Sequence, residues 1–272
     1  MKNRRFVWII TLITFALLVT GGCSSSTESS NPNQTDTESS SSKTTGTQNK
    51  KNNNVAKQYK MGVLYQQKSA EVRALQEQAF NLAKQQLNNY LENNESSKSP
   101  AVVTDLDETV LDNTPYLAMG VKEGFDYTNW GDKWDAWVDA ASAKLIPGAK
   151  GFLKYADSKG VKIFYVSNRV AENETPTIKN MKKLGLPQVT KESVMLKGES
   201  KKERRSEITE DYEIALLTGD DLHDFAAVFN DASTKKRNKA VERLEDKFGS
   251  KFIVLPNSTY GEWSDAKLKT WK

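Results

Sequence analysis

Asp105 and Asp107 flank one leucine in the run Thr104-Asp105-Leu106-Asp107-Glu108-Thr109, and three further aspartates lie in Gly219-Asp220-Asp221-Leu222-His223-Asp224. Between these acidic groups lies Ser167-Asn168-Arg169. Carboxylates gathered into one crevice repel one another unless protons or a cation intervene. A hard divalent ion with oxygen ligands, Mg²⁺ above all, suits such a set. It would also neutralise an incoming phosphate, so that a carboxylate can attack phosphorus. Any one of these acids could equally be a loop or helix-cap residue. The pattern as a whole points to metal-assisted phosphoryl transfer.

Counting residues excludes several other phosphatase chemistries. The chain has one histidine, His223, and one cysteine, Cys23. Zinc and binuclear metal sites need several histidine ligands, histidine nucleophiles generally work with a second histidine, and thiol chemistry needs a reactive thiolate. Carboxylate chemistry with an oxygen-bound metal remains.

Short apolar strands must present these residues. Ala101-Val102-Val103-Thr104 runs directly into the first aspartate pair, Val161–Val166 into Ser167, and Ile214–Leu217 into the Gly219-Asp220 run. Phe252–Leu255 is a further strand, and Ser193–Leu196 another candidate. Helices separate them. Apolar residues recur at helical spacing over Tyr65–Asn93. Pro147 precedes a helix over Gly148–Ser158 that Gly160 closes, and Thr175–Leu184 ends at Gly185. Alternating strands and helices predict an α/β domain on a mainly parallel sheet. In such folds ligands bind beyond the carboxyl ends of the strands. The stretch from Asn113 to Leu145 breaks the alternation and is dense in aromatics, among them Tyr116, Trp130, Trp134 and Trp137.

The first 54 residues stand apart. Lys2, Arg4 and Arg5 precede an apolar run from Phe6 to about Thr20, which meets Gly21-Gly22-Cys23. A basic start, a short apolar core and small residues describe a secretory leader, shorter than the roughly 20 apolar residues of a membrane span. Val19-Thr20-Gly21-Gly22-Cys23 resembles a bacterial lipobox, which implies cleavage before Cys23 and lipid attachment to its sulfur. Residues 23–54 are almost wholly Ser, Thr, Asn, Gln, Gly and Lys, a composition unable to bury a core and suited to a tether. This divides the chain into a leader (1–22), a disordered tether (23–54) and a folded domain (55–272). The net charge of +4 falls to +1 without Lys2, Arg4 and Arg5. A nearly neutral mature chain gives no electrostatic case for a nucleic-acid polymer as partner.

Asp105-Leu106-Asp107-Glu108-Thr109 resembles the first signature of the haloacid dehalogenase (HAD) superfamily of phosphohydrolases. The longer run to Tyr116 is similar to one branch, the class C acid phosphatases, which are surface-lipoprotein 5′-nucleotidases of bacteria. Ser69-Ala70-Glu71, Trp137-Val138-Asp139-Ala140, Phe164–Arg169, Gly219–Phe225 and Leu255–Trp263 carry the likeness in order. The resemblance implies a HAD-like, Rossmann-type sheet flanked by helices, with a small, mostly helical cap formed by the N-terminal helix and the 113–145 insert. It implies Mg²⁺ as cofactor and small phosphomonoesters, nucleoside 5′-monophosphates above all, as substrates. It also implies attachment to the outer face of the cell membrane, and it leaves room for a homodimer.

The same resemblance implies roles. Asp105 would form an aspartyl-phosphate. Asp107 would protonate the leaving alcohol and then activate water, which calls for a raised pKa. Asp105, the Asp107 main-chain carbonyl and Asp220 would hold the metal, with Asp224 nearby. Ser167 would hydrogen-bond phosphoryl oxygens. Lys201 would balance the charge, because Arg204 follows it at the family's spacing, although Lys202 is a second candidate. Trp134 and Tyr260 would sandwich a nucleoside base. The family usually carries Asn where this chain has Asp221, which would add negative charge beside the metal. His223 is expected to be a loop residue without a catalytic role. A competing reading from another class is a solute-binding lipoprotein that captures a phosphorylated ligand without turnover, but such a binder needs no nucleophile–acid pair.

Overall fold

The structure, a computed structural model, describes residues 59–126, 131–230, 233–264 and 266–271. The leader, Cys23 and the tether lie outside the described residues, as does Trp130.

Ala101-Val102-Val103, almost wholly removed from solvent, forms the middle of strand β1 (Ser99–Thr104). An apolar run without alternation suits a strand covered on both faces. Residues 59–68 (α1) and Ala70–Asn93 (α2) precede it. After it come β2 (Leu111–Asp112), α3 (Thr114–Glu123), α4 (Gly131–Asp139), β3 (Lys144–Leu145), α5 (Ala149–Ser158), β4 (Lys162–Val170), α6 (Glu174–Lys183), β5 (Val194–Lys197), α7 (Lys201–Asp211), β6 (Tyr212–Gly219), α8 (Thr234–Arg243) and β7 (Phe252–Val254). Among the described residues β5-β4-β1-β6-β7 form a sheet in that order, every neighbouring pair parallel. The chain builds one half outward from β1 through β4 and β5, then returns to β1's other side. The carboxyl end of β1 is therefore the place where a doubly wound sheet opens a crevice.

Alternate residues feed two cores. Val102, Ile163 and Tyr165 pack with Phe80, Leu87 and Leu153 of α2 and α5. Ala101, Val103, Phe164 and Val166 pack with Ile208 of α7 on the opposite face. β6 breaks this alternation. Ala101 pairs with Ile214 but Val102 pairs with Leu216, so Ala215 is a bulge. Ala215 and Leu216 consequently both join the α2–α5 core, while Leu217 returns to the other.

The expected helix Tyr65–Asn93 is two helices. Ser69 ends the first and caps the second, its Oγ accepting from Glu71 N (3.1 Å) and Val72 N (3.3 Å). α2 lies on the sheet through Ala79, Phe80, Ala83 and Leu87. The cap is thus built from α1 and the insert, where Val63, Tyr116 and Leu117 form a third core edged by Trp134, Trp137 and Tyr260. The insert is pinched at its base by an antiparallel pair, Leu111 with Leu145 and Asp112 with Lys144. That ribbon is why Asn113–Leu145 does not continue the βα alternation. The other expected strands and helices are present with ends shifted by a few residues; β4 runs on through Arg169 to Val170.

Candidate active site

Asp105 leaves β1 still in the sheet's ladder, its N–H donating to Thr218 O at 2.9 Å. The chain then turns back tightly, Val110 N and Leu111 N both donating to Leu106 O at 2.8 and 2.7 Å. Glu108 sits at φ 59° in this turn, a conformation that costs a side-chain-bearing residue energy. Its carboxylate is fully buried, accepts from Asn113 N at 3.1 Å, and receives the Tyr260 hydroxyl. Two elements of the cap and C-terminal segment are thereby pinned to the acidic turn.

Lys201 is the first residue of α7. Ser200 caps the helix and Glu203 reaches back to Ser200 N (2.8 Å), which completes a capping box. The buried ammonium of Lys201 donates to both Asp105 Oδ1 and Asp224 Oδ1, whereas Lys202 is exposed. One turn on, Arg204 Nη1 donates to Ser167 O and Met195 O at 2.7 Å each, and Arg205 Nη1 to Asp224 O at 2.8 Å. One face of α7 therefore holds three loops of the site together.

Asp220 Oδ1 accepts from Thr109 Oγ1 at 3.0 Å and its Oδ2 from Asn257 Nδ2 at 2.7 Å. Oxygen atoms of Asp105, Asp220 and Asp224 all lie within 4.8 Å of one another. Burial, with the neighbouring carboxylates reinforcing it, pushes Asp220 well above the usual range. Burial also raises Asp105, against the pull of Lys201, while Asp224 and Asp107 add to the rise. Lys201 is held firmly protonated, the two carboxylates outweighing its own burial. Three carboxylates around one ammonium leave the cluster short of positive charge, and burial then favours the protonated form of Asp220. An all-oxygen donor set with that deficit fits a hard divalent ion.

Asp107 faces elsewhere. Its carboxylate accepts from Arg169 Nη2 (2.7 Å) and Nε (3.1 Å), from Asn113 Nδ2 (2.8 Å) and from Ser167 Oγ (3.3 Å). Arg169 also donates to Thr177 Oγ1 at 3.0 Å and lies 5.4 Å from the centre of the Trp134 ring. Burial alone would raise Asp107, but Arg169 and Asn113 more than reverse this and hold it below the usual range. The expected raised pKa is therefore not found. A forked guanidinium closes on the carboxylate and favours its ionised form.

These groups open into a cavity of about 540 Å³ whose wall includes Asp105, Asp107, Lys201, Asp220, Asp224, Trp134 and Tyr260. Ser167 is buried beneath Asp107. Trp134 packs edge-on against Tyr116, ring centres 5.3 Å apart. The structure thus brings together every expected side chain, Cys23 aside, around one crevice. It also adds Arg169, Glu108, Asn113, Asn257, Arg204 and Arg205.

One expectation about the fourth motif changes. Asp221 does not direct its charge at the carboxylate cluster: Oδ1 is 2.8 Å from His223 Nδ1 and 3.1 Å from Arg237 Nη2. Burial would raise Asp221, but its bonds with His223 and Glu262 hold it well below the usual carboxylate range. His223, expected to be a loop residue without a catalytic role, lines the cavity, a placement that gives it no part in the chemistry. Burial would lower its pKa, yet bonds to Asp221 and Glu262 push it up to about 10.

The family model for HAD superfamily, subfamily IIIB (acid phosphatase), matches residues 23–263. Among solved structures, the class C acid phosphatase from Bacillus anthracis is similar at 42% identity and a TM-score of 0.73, over 77% of this chain and 87% of that one. The class C acid phosphatase from the same organism with tungstate bound matches at 41% identity and the same TM-score, over the same shares of the two chains.

Proposed function

The chain belongs to the HAD superfamily, subfamily IIIB, the acid phosphatases, and is a phosphomonoesterase; from that premise we propose that it is a Mg²⁺-dependent enzyme acting on nucleoside 5′-monophosphates and other small phosphomonoesters at the outer face of the cell membrane. The observation that carries this reading is the Asp105 carboxylate at the end of the central strand, gripped by Lys201 beside Asp220 and Asp224, with Asp107 two residues on. The leader and Cys23 motivate the location. Membership of an enzyme family removes the reading of capture without turnover.

In this mechanism an Asp105 oxygen attacks phosphorus, the bond from phosphorus to the leaving oxygen breaks, and Asp107 delivers a proton to that oxygen. Water then attacks the aspartyl-phosphate, Asp107 takes its proton, and inorganic phosphate departs with Asp105 restored. Asp107 is ionised in the free site, so the first proton arrives with the ester. A phosphomonoester below its second pKa, about 6, carries one. Lys201 balances the charge of nucleophile and phosphoryl group throughout. Asp105, the Asp107 main-chain carbonyl and Asp220 would hold Mg²⁺, which when bound neutralises phosphoryl oxygens facing the carboxylates. Trp134 and Tyr260, both in the cavity wall, supply aromatic faces for a base, and stacking is indifferent to base identity.

The test is hydrolysis of p-nitrophenyl phosphate by wild type and Asp105→Asn, with and without EDTA, and with Mg²⁺ restored. Turnover should vanish in the variant and on chelation, and return with Mg²⁺. Metal-independent turnover, or full activity in Asp105→Asn, would overturn the mechanism. Comparing nucleotides with base-free phosphate esters tests the substrate assignment.

A further inference from the structure

Beside the catalytic carboxylates a second charged group bridges chain segments far apart in sequence. Asp221 follows the metal-site aspartate Asp220, Arg237 lies on α8, and Glu262 lies in the C-terminal segment two residues after Tyr260. Arg237 Nη2 reaches both carboxylates, 3.1 Å from Asp221 Oδ1 and 3.0 Å from Glu262 Oε2. His223 Nδ1 does the same, 2.8 Å from Asp221 Oδ1 and 3.5 Å from Glu262 Oε1. The group is anchored on its outer sides. Arg237 Nη1 donates to Phe229 O at 3.0 Å, His223 N–H donates to Asp221 Oδ1 at 3.1 Å, and His223 Nε2 lies 3.3 Å from Asn168 Nδ2.

Asp221, His223 and Glu262 form part of the cavity wall together with Tyr260 and Gly261. The link from Tyr260 to Glu262 is short and shaped: Gly261 is at φ 147°, and a Cβ there would come within 2.7 Å of Trp263 Nε1. Tyr260 itself is held from below by its hydroxyl on Glu108. Its ring is therefore set by two fastenings, one to the acidic turn after β1 and one through Glu262 to the loop after β6. An amide at position 221 would still accept hydrogen bonds but would carry no charge for the two cations. Asp221 is the residue both cations share.

We propose that Asp221, His223, Arg237 and Glu262 form a clamp that fixes the Tyr260–Glu262 segment against the metal-site loop and so sets the aromatic side of the cavity. Arg237 and Glu262 are positioning residues: they tune affinity for the base and leave phosphoryl transfer alone. This rests on the reading that Tyr260 stacks on a nucleoside base, and the experiment separates the two.

Steady-state kinetics of the full chain with Mg²⁺ would compare adenosine 5′-monophosphate with ribose 5-phosphate, the same ester without its base, for wild type, Arg237→Gln, Glu262→Gln, the double variant and Tyr260→Ala. Arg237→Gln should raise KM for the nucleotide about tenfold, within what a base–aromatic stack is worth, with ribose 5-phosphate and both kcat values within about twofold. Glu262→Gln should shift the same ratio, and the double variant should add little to either single change. Arg237→Lys should recover part of the loss. Should Arg237→Gln fail to fold, Glu262→Gln, whose side chain is 42% exposed, carries the test alone. An equal loss on both esters, or a fall in kcat, would show that the group merely supports the metal-site loop and overturn the clamp. If Tyr260→Ala changes the ratio while Arg237→Gln and Glu262→Gln do not, the clamp fails and stacking stands. If Tyr260→Ala leaves the ratio unchanged, stacking and clamp fall together.

Discussion

Two groups of charge lie side by side at the carboxyl edge of the sheet, and they are balanced differently. The inner group sets Asp105, Asp220 and Asp224 against Lys201, with His223 Nε2 farther off at 3.7 Å from Asp224 Oδ1. The rim group sets Asp221 and Glu262 against Arg237 and His223, charge for charge. Buried charges left uncompensated are expensive, so an excess persists only where something else is to bind. The inner group is built to be completed by a cation and a phosphoryl group. The rim group is complete in itself, and what it can do is hold chain segments in place.

The largest effect expected from breaking this contrast is at Lys201. Lys201→Met should lower kcat about 10²–10³-fold and destabilise the fold by about 3–5 kcal/mol, since two buried carboxylates lose their partner. Stopped kinetics with normal denaturant stability would contradict the second half. Arg169→Met comes next. Freeing Asp107 from its fork should cut kcat about 10²-fold, at the low end of general acid–base contributions, with little change in the metal concentration needed for half activity. A raised metal requirement instead would mean that Arg169 acts through the inner cluster.

Metal should stabilise the inner group only. Mg²⁺ at about a hundredfold its dissociation constant should add about 2.7 kcal/mol, visible as a rise in melting temperature. Asp220→Asn should lose that rise while making the metal-free protein more stable, because one of three repelling carboxylates is gone. At the rim the sign is opposite: Asp221→Asn should destabilise by about 1.5–3 kcal/mol, the worth of hydrogen bonds to charged groups, with or without metal. A stabilised Asp221→Asn would mean the rim is overcharged after all. The smallest effect is at the start of α7. Bonds from Ser200 hold Glu203 below its ordinary pKa, so its contribution is present above the ordinary value and lost as pH falls through the folded one. Thermal melts from pH 6 down to pH 3 should show a shallower acid decline in Ser200→Ala than in wild type.

The inner group was legible in the sequence and the rim was not. Acidic residues directly after apolar strands announce themselves, because strand ends converge in a doubly wound sheet. Lys201 could be placed by its spacing from Arg204, and its burial separates it from Lys202. Arg169, Arg204 and Arg205 are different. A buried arginine that braces a loop has the same letters as a solvated one, and only the neighbours found by folding distinguish them. Arg169 had one signal, its place in the Ser167-Asn168-Arg169 group that follows the apolar run Val161–Val166. The break at Ser69 was also readable, as a serine two residues before Glu71, but the apolar periodicity continued across it. Nothing in Ile214-Ala215-Leu216-Leu217 marks which residue leaves the ladder.

That last point bears on how the chain can vary. Because Ala215 takes no partner, Thr218 rather than Leu217 stands opposite Thr104, and the two acidic loops leave the sheet in step. Removing one residue from this strand would put Asp220 on the wrong beat relative to Asp105, although each remaining letter would still suit a strand. Side chains between 212 and 219 can therefore be exchanged far more freely than their number can be changed. Insertions and deletions, harmless in most surface loops, should be absent from this short interval in functional relatives, a constraint on length rather than on identity.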